Sequence, residues 1–196
     1  MAQADRRFVV VSGLPGSGKT TVARALAPLL KLPLFDKDAI LEQLFETKGT
    51  GDAGWRRQLS RESDLLLQSG VSDSDGAVVT SFWHVAGMPP DSGTSTEWLR
   101  TLSRTLVNVH CECSLELTAT RFAERRRHPG HLDSTRSFAE VLASIQALPV
   151  RGYLSVGERV VIDTTTAVDP ALLLQIVEAA FARCLTRLAA DGSCGK

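Results

Sequence analysis

The stretch Gly13-Leu14-Pro15-Gly16-Ser17-Gly18-Lys19-Thr20 constrains this chain more than any other. It follows the apolar run Phe8-Val9-Val10-Val11 and opens Thr21–Leu30, where Val22, Leu26, Leu29 and Leu30 recur at helical spacing. A G-x-x-x-x-G-K-[ST] string between a strand and a helix is a phosphate-binding loop. Its glycines admit backbone conformations closed to other residues, so successive N–H groups turn inward around phosphate oxygens. The helix beginning near Lys19 aims the positive end of its dipole at the same point. Gly13, Pro15, Gly16, Ser17, Gly18, Lys19, Thr20 and Thr21 are therefore expected to hold a nucleoside triphosphate. Lys19 would neutralise β/γ-phosphate charge, and the Thr20 hydroxyl would ligate Mg2+.

The rest of the chain alternates strands with helices. Leu32–Phe35 reads as a second strand ending in Asp36-Lys37-Asp38, and Ala39–Phe45 as a helix. Trp55–Gln68 reads as a long helix, Gly76–Phe82 as the third strand, and Glu97–Arg104 as a short helix before a fourth strand, Leu106–Cys111. Ser114 caps a helix expected to run to about Arg126, and His128-Pro129-Gly130-His131 breaks it. Ser137-Phe138-Ala139-Glu140 is a capping box for the next helix. Arg159–Asp163 is the fifth strand, and Asp169 or Pro170 opens a last helix with the stripe Leu173, Ile176, Val177, Ala180, Phe181, Cys184 and Leu188. This order predicts one three-layer α/β domain over 1–196, a five-stranded parallel sheet with helices on both faces and a lid at about 121–137.

Composition narrows the partners. Lys+Arg and Asp+Glu both number 22, so no net charge points to nucleic acid. No apolar run is long enough for a membrane span, and Asp5-Arg6-Arg7 leads straight into a strand without a signal-peptide core. Cys111, Cys113, Cys184 and Cys194 show no paired C-x-x-C, so free thiols and a cytoplasmic location are expected. A monomer or a homodimer is expected.

A phosphate loop alone does not choose among kinase, GTPase and motor. No N-K-x-D guanine-reading string is present, and a motor or AAA-type machine would need more chain for its oligomer and transducer elements. Asp36-Lys37-Asp38 ends a strand at the ligand edge of a parallel sheet. Asp38 there can accept the proton of an acceptor hydroxyl, or cap the helix that follows, or both. Asp36 is expected as a Mg2+ ligand or a second carboxylate. Arg121 and Arg125, four apart on one helix face, are expected to reach over the triphosphate and stabilise transition-state charge. Arg126 and Arg127 are expected on a solvated face, and His128–Asp133 as a mobile lid.

In these patches the chain resembles the P-loop small-molecule kinases: chloramphenicol phosphotransferase, adenylylsulfate kinase, gluconate kinase, polynucleotide kinase and the zeta-type toxins. Lys37-Asp38-Ala39-Ile40-Leu41 is similar to Val-Asp-Ser-Leu-Ile of chloramphenicol phosphotransferase, which implies Asp38 as the base. Asp36-Lys37-Asp38 is similar to the Asp-Gly-Asp of adenylylsulfate kinases. Two departures stand out. Leu41 replaces the arginine that several relatives carry three residues after the base, and Thr80-Ser81 replaces the carboxylate of a Walker-B strand end.

The acceptor is expected near Asp38. Arg57 and Arg61, Glu62 on the stripe Trp55–Leu59–Glu62–Leu66, Trp83, His84, His131 and Asp133 are its candidate contacts, with Thr164–Val168 as the nucleotide-base contact. His128 and His131 are either substrate contacts or plain loop histidines, and Trp83 either stacks on the acceptor or fills the core. The resemblance implies Mg2+- and ATP- or GTP-dependent phosphorylation of a small hydroxylated molecule. It favours an antibiotic, including capuramycin-type nucleosides, with a metabolic sugar or nucleoside kinase as the alternative. A nucleotide-binding regulator or zeta-like toxin is the reading from a different class.

Overall fold

The computed structural model describes residues 6–133, 137–148 and 153–193. The lid positions 134–136 and Cys194 lie outside the described residues. Five strands, β1 (Arg7–Gly13), β2 (Leu34–Asp36), β3 (Gly76–Thr80), β4 (Leu106–Glu112) and β5 (Glu158–Asp163), form one sheet. All pair in parallel in the order β2-β3-β1-β4-β5. The five-stranded parallel sheet with helices on both faces is as expected.

β1 is apolar at consecutive positions because both of its faces are covered. Val9 and Val11 pack on one side against α1 (Lys19–Leu30) and α7 (Pro170–Ser193), through Val22, Leu26, Leu173, Val177 and Phe181. Phe8 and Val10 pack on the other side against α3 (Ala53–Asp73), through Leu67 and Val71, and against the short α4 (Leu99–Leu102). Two smaller clusters join the periphery. One links Leu14 of the loop to α5 (Leu115–Glu124) and α6 (Phe138–Gln146), and the other links α2 (Lys37–Lys48) to Leu59 of α3.

Several boundaries differ from expectation for local reasons. α2 begins at Lys37, so Asp36, not Asp38, is its N-cap: Asp36 Oδ1 accepts from the Asp38 N–H at 3.1 Å. The buried face of α3 is Leu59, Ser63, Leu67 and Val71, which turns Leu66 and Glu62 away from the core. Glu62 meets Lys48 at 2.6 Å on the outside instead of standing in an apolar stripe. α5 stops at Glu124, and Arg125 has extended backbone angles. The capping box of Ser137 and Glu140 forms as read. Among the described residues Cys111, Cys113 and Cys184 are free thiols, and no helix is long and apolar enough to cross a membrane.

Candidate active site

The C-terminal ends of β1, β2 and β3 open into a cleft of about 600 Å3. Its walls include Pro15, Gly16, Gly18, Lys19, Thr20 and Thr21 of the loop, Asp36 and Asp38 beyond β2, and Ser81 beyond β3. Arg121, Arg125 and Arg127 come from the opposite side. The loop itself is tight. The Ser17 N–H bonds to the Leu14 carbonyl at 3.1 Å, and Gly16 holds φ +90° with its α-carbon pressed against α5. A Cβ on Gly16 would stand 2.3 Å from the Thr118 carbonyl oxygen, so only glycine fits there.

Lys19 Nζ donates to the Leu14 carbonyl at 2.8 Å inside the loop. Burial pushes its ammonium down to about 8. Asp36 is buried, and burial together with the charge of Asp38 raises its carboxyl above the usual range. Asp38 behaves oppositely. Enclosure pushes its carboxyl up, but the positive charges of Arg127, His131, Arg125 and Lys19 outweigh that and hold it below the ordinary value. Their surroundings thus shift the two neighbouring carboxyls in opposite directions.

The arginines are arranged by the chain's exit from α5. In an extended segment alternate side chains share a side, so Arg125 and Arg127 face the cleft while Arg126 is exposed. Asp133 receives both, from Arg125 Nη2 at 3.1 Å and Arg127 Nη1 at 2.8 Å, and Arg127 Nη2 reaches Asp38 Oδ2 at 2.5 Å. The expectation of a solvated Arg127 is therefore corrected: its side chain is 14% exposed and clasps two carboxylates. Arg121 and Arg125 share the cleft but not a helix face, because Arg125 has left the helix.

Arg121 donates instead to the carbonyls of Thr164 and Thr165, at 2.8 and 3.1 Å, tying α5 to the loop after β5. The Thr164 hydroxyl is spent on the carbonyls of Ser17 and Glu112. It braces the phosphate loop from below and does not face the cleft.

Several expected acceptor contacts lie elsewhere. Arg57 and Arg61 are exposed, Arg61 within 3.6 Å of Asp91, because α3 turns their neighbour Arg56 into the cleft. Trp83 is core: it is 3% exposed and its Nε1 donates to the Val11 carbonyl at 2.9 Å, pinning the end of β3 to β1. His84 bonds the Ser92 carbonyl and lines a separate cleft with Arg100 and Tyr153. His131 is buried in a T-shaped contact with Phe45, with Nε2 on Glu42 at 3.0 Å, which ties the segment after α5 to α2. His128 stacks on the Phe45 ring, with centroids 5.3 Å apart. Asp133 lines the cleft, but its oxygen Oδ2 is engaged by the two arginines.

Arg56 has no signal of its own in the sequence, nor have Asp64, Lys37 and Thr94, which form a network behind Ser81. The neighbouring Arg57 and Arg61 masked Arg56, since nothing local tells which arginine of the run the helix will turn inward.

A second cleft of about 640 Å3 opens behind the loop, lined by Ser17, Glu112, Ser114, Ile145 and Asp163. It contains neither Lys19 nor Thr20, both of which line the first cleft. Among the described residues no group of three or more His, Cys, Asp or Glu converges as a metal cage. The hard oxygens of Thr20 and Asp36 in one cleft suit Mg2+, which takes few protein ligands and completes its shell with phosphate and water.

A family model, AAA_33, described as an AAA domain, matches residues 8–150. The chain belongs to the AAA_33 family. The matched span runs from β1 through the phosphate loop and both aspartates to the end of α6. This AAA_33 chain is similar to shikimate kinase 1 of Yersinia enterocolitica, 27% identical over 130 residues, which is 64% of this chain and 69% of that protein. It is 34% identical to the shikimate kinase of Mycobacterium marinum over 77 residues, 35% of this chain. There the chain spans only 39% of the relative's length. Among solved structures it is similar to a candidate kinase from Chloroflexus aurantiacus j-10-fl, with a TM-score of 0.72 and 28% identity over 90% of this chain and 98% of that one.

Proposed function

We propose that this AAA_33 protein is a nucleoside-triphosphate- and Mg2+-dependent phosphotransferase acting on a hydroxyl of a small, negatively charged acceptor. The observation that carries the reading is one cleft holding Lys19 and Thr20 of the loop, the neighbouring carboxylates of Asp36 and Asp38, and Arg125 and Arg127. Loop N–H groups and Lys19 bind the phosphates. Thr20 and Asp36 would hold Mg2+, which neutralises phosphate charge when bound. Asp38, kept deprotonated by Arg127, takes the proton of the acceptor hydroxyl. That oxygen bonds to the γ-phosphorus as the bond from phosphorus to the β,γ-bridging oxygen breaks, leaving the nucleoside diphosphate. Arg125 stabilises charge on the transferring group.

Arg56 supports the charge of the acceptor. It lines the cleft, and its buried Nε has no hydrogen-bond partner among the described residues. A guanidinium so placed suits a carboxylate or phosphate. The shikimate kinases to which the chain is similar take their name from a hydroxylated acid. No separate observation favours the antibiotic acceptor that the chloramphenicol phosphotransferase resemblance suggests.

The test is phosphate transfer from labelled ATP and GTP to hydroxylated acids, sugars, nucleosides and antibiotics, read as a mass gain of one phosphoryl group. The expected result is transfer to a hydroxylated acid that disappears in Asp38→Asn. Transfer to uncharged antibiotics alone would overturn the anionic acceptor. Nucleotide binding without transfer to any acceptor would favour the regulator or toxin reading.

A further inference from the structure

β3 ends at Thr80, in register with Val11 of β1 and Asp36 of β2. The next residue, Ser81, is buried and lines the cleft at the strand end where a carboxylate was expected and is missing. Its hydroxyl belongs to a chain. Ser81 Oγ lies 2.5 Å from Thr94 Oγ1, which lies 2.7 Å from Asp64 Oδ1. The same Asp64 oxygen takes the Lys37 ammonium at 2.7 Å.

The direction of every proton in this chain follows from its far end. A carboxylate paired with an ammonium only accepts hydrogen bonds. The single hydroxyl proton of Thr94 therefore goes to Asp64, leaving Thr94 only lone pairs for Ser81. The Ser81 proton must go to Thr94, and Ser81 faces the cleft with lone pairs alone. Burial of Thr94 and Ser81 strengthens the polarisation along the chain.

We infer that Ser81 is a positioning residue for the water shell of the Mg2+–nucleotide complex, a neutral replacement for the absent strand-end carboxylate. A water on Mg2+ gives its lone pair to the metal and turns both protons outward, so its outer partners must accept. Ser81 is fixed as an acceptor by groups on three other segments: Thr94, Asp64 of α3 and Lys37 of α2. The two carboxylates of the cleft have other tasks in the proposed reaction: Asp38 serves the acceptor hydroxyl, and Asp36 would ligate the metal itself. The inference rests on the phosphotransferase reading, because it places a metal–nucleotide complex in this cleft.

The experiment is calorimetric titration of the full chain with ADP and GDP, in Mg2+ and separately in EDTA. The ratio of the two dissociation constants measures how much the metal strengthens binding. Ser81→Ala should lower that ratio about five-fold, the effect of one hydrogen bond, with metal-free affinity unchanged. Ser81→Thr, which keeps the hydroxyl, should restore it. Thr94→Val should also lower the ratio, because it frees the Ser81 proton to turn toward the cleft while leaving Ser81 in place. An unchanged ratio in Ser81→Ala, or equal loss with and without metal, would overturn the inference. Failure of the unaltered protein to bind nucleotide at all would overturn the phosphotransferase reading, and this inference with it.

Discussion

Raising the pH from 7 to 9 should weaken nucleotide binding through Lys19. Its ammonium sits inside the phosphate loop, and burial pushes it down to about 8. Phosphates bind the charged form. With that value about nine in ten lysines are charged at pH 7 and about one in ten at pH 9. The apparent dissociation constant should therefore rise about ten-fold across this range, ~1.4 kcal/mol. Binding at pH 9 should draw close to one proton per nucleotide, because the bound phosphates recharge the lysine. Cys111, whose charge also acts on Lys19, does not confuse the window, since burial pushes its thiol up to about 12. Titration calorimetry in two buffers of different ionisation enthalpy reads both quantities. Lys19→Arg should flatten the profile, because a guanidinium stays charged throughout. Constant affinity from pH 7 to 9 without proton uptake would refute the reasoning, and so would the same slope in Lys19→Arg.

Asp38→Asn should cut kcat about 10²–10⁴-fold while calorimetry shows nucleotide affinity retained; surviving turnover would place the base elsewhere, Asp36 first. Arg127→Ala removes the charge that holds Asp38 down, so burial should lift its pKa and the acid limb of the kcat–pH profile should move to higher pH. An unmoved limb would show that Arg127 does not tune the base. Arg56→Gln should raise KM for an acidic acceptor about ten-fold, as expected for a lost charge-assisted bond, with kcat and uncharged acceptors unaffected. Gly16→Ala places a Cβ 2.3 Å from the Thr118 carbonyl at φ +90°. A cost of about 1–3 kcal/mol should lower the melting temperature by several degrees, and an unchanged melting curve would count against the tight loop–α5 contact.

Fold and site were legible in the sequence to different depths. The phosphate loop declares itself because its function is carried by backbone N–H groups, and glycine spacing dictates that backbone directly. The strands and α6 were readable because hydrophobic period and capping are local signals, as the capping box at Ser137 shows. Arg125 was misplaced because helix propensity continues through Arg126, whereas the contacts of Arg125 and Arg127 with Asp133 reward an extended exit. Helical spacing points Arg57, Arg61 and Glu62 toward the acceptor, and the place after the third strand points Trp83 and His84 there. Their real surroundings depend on the rotation of α3 and the packing under β3.

The sequence by itself determined that five strands and a phosphate loop would gather Lys19, Thr20, Asp36 and Asp38 at one sheet edge, since topology alone brings parallel strand ends together. Only the tertiary structure decided which charges meet there. Arg127 reaches Asp38 across 89 residues, and Asp64 orders Ser81 through Thr94. Such pairings have no local signature. They depend on where packing places each helix, and the same residues on a helix turned by one position would face water.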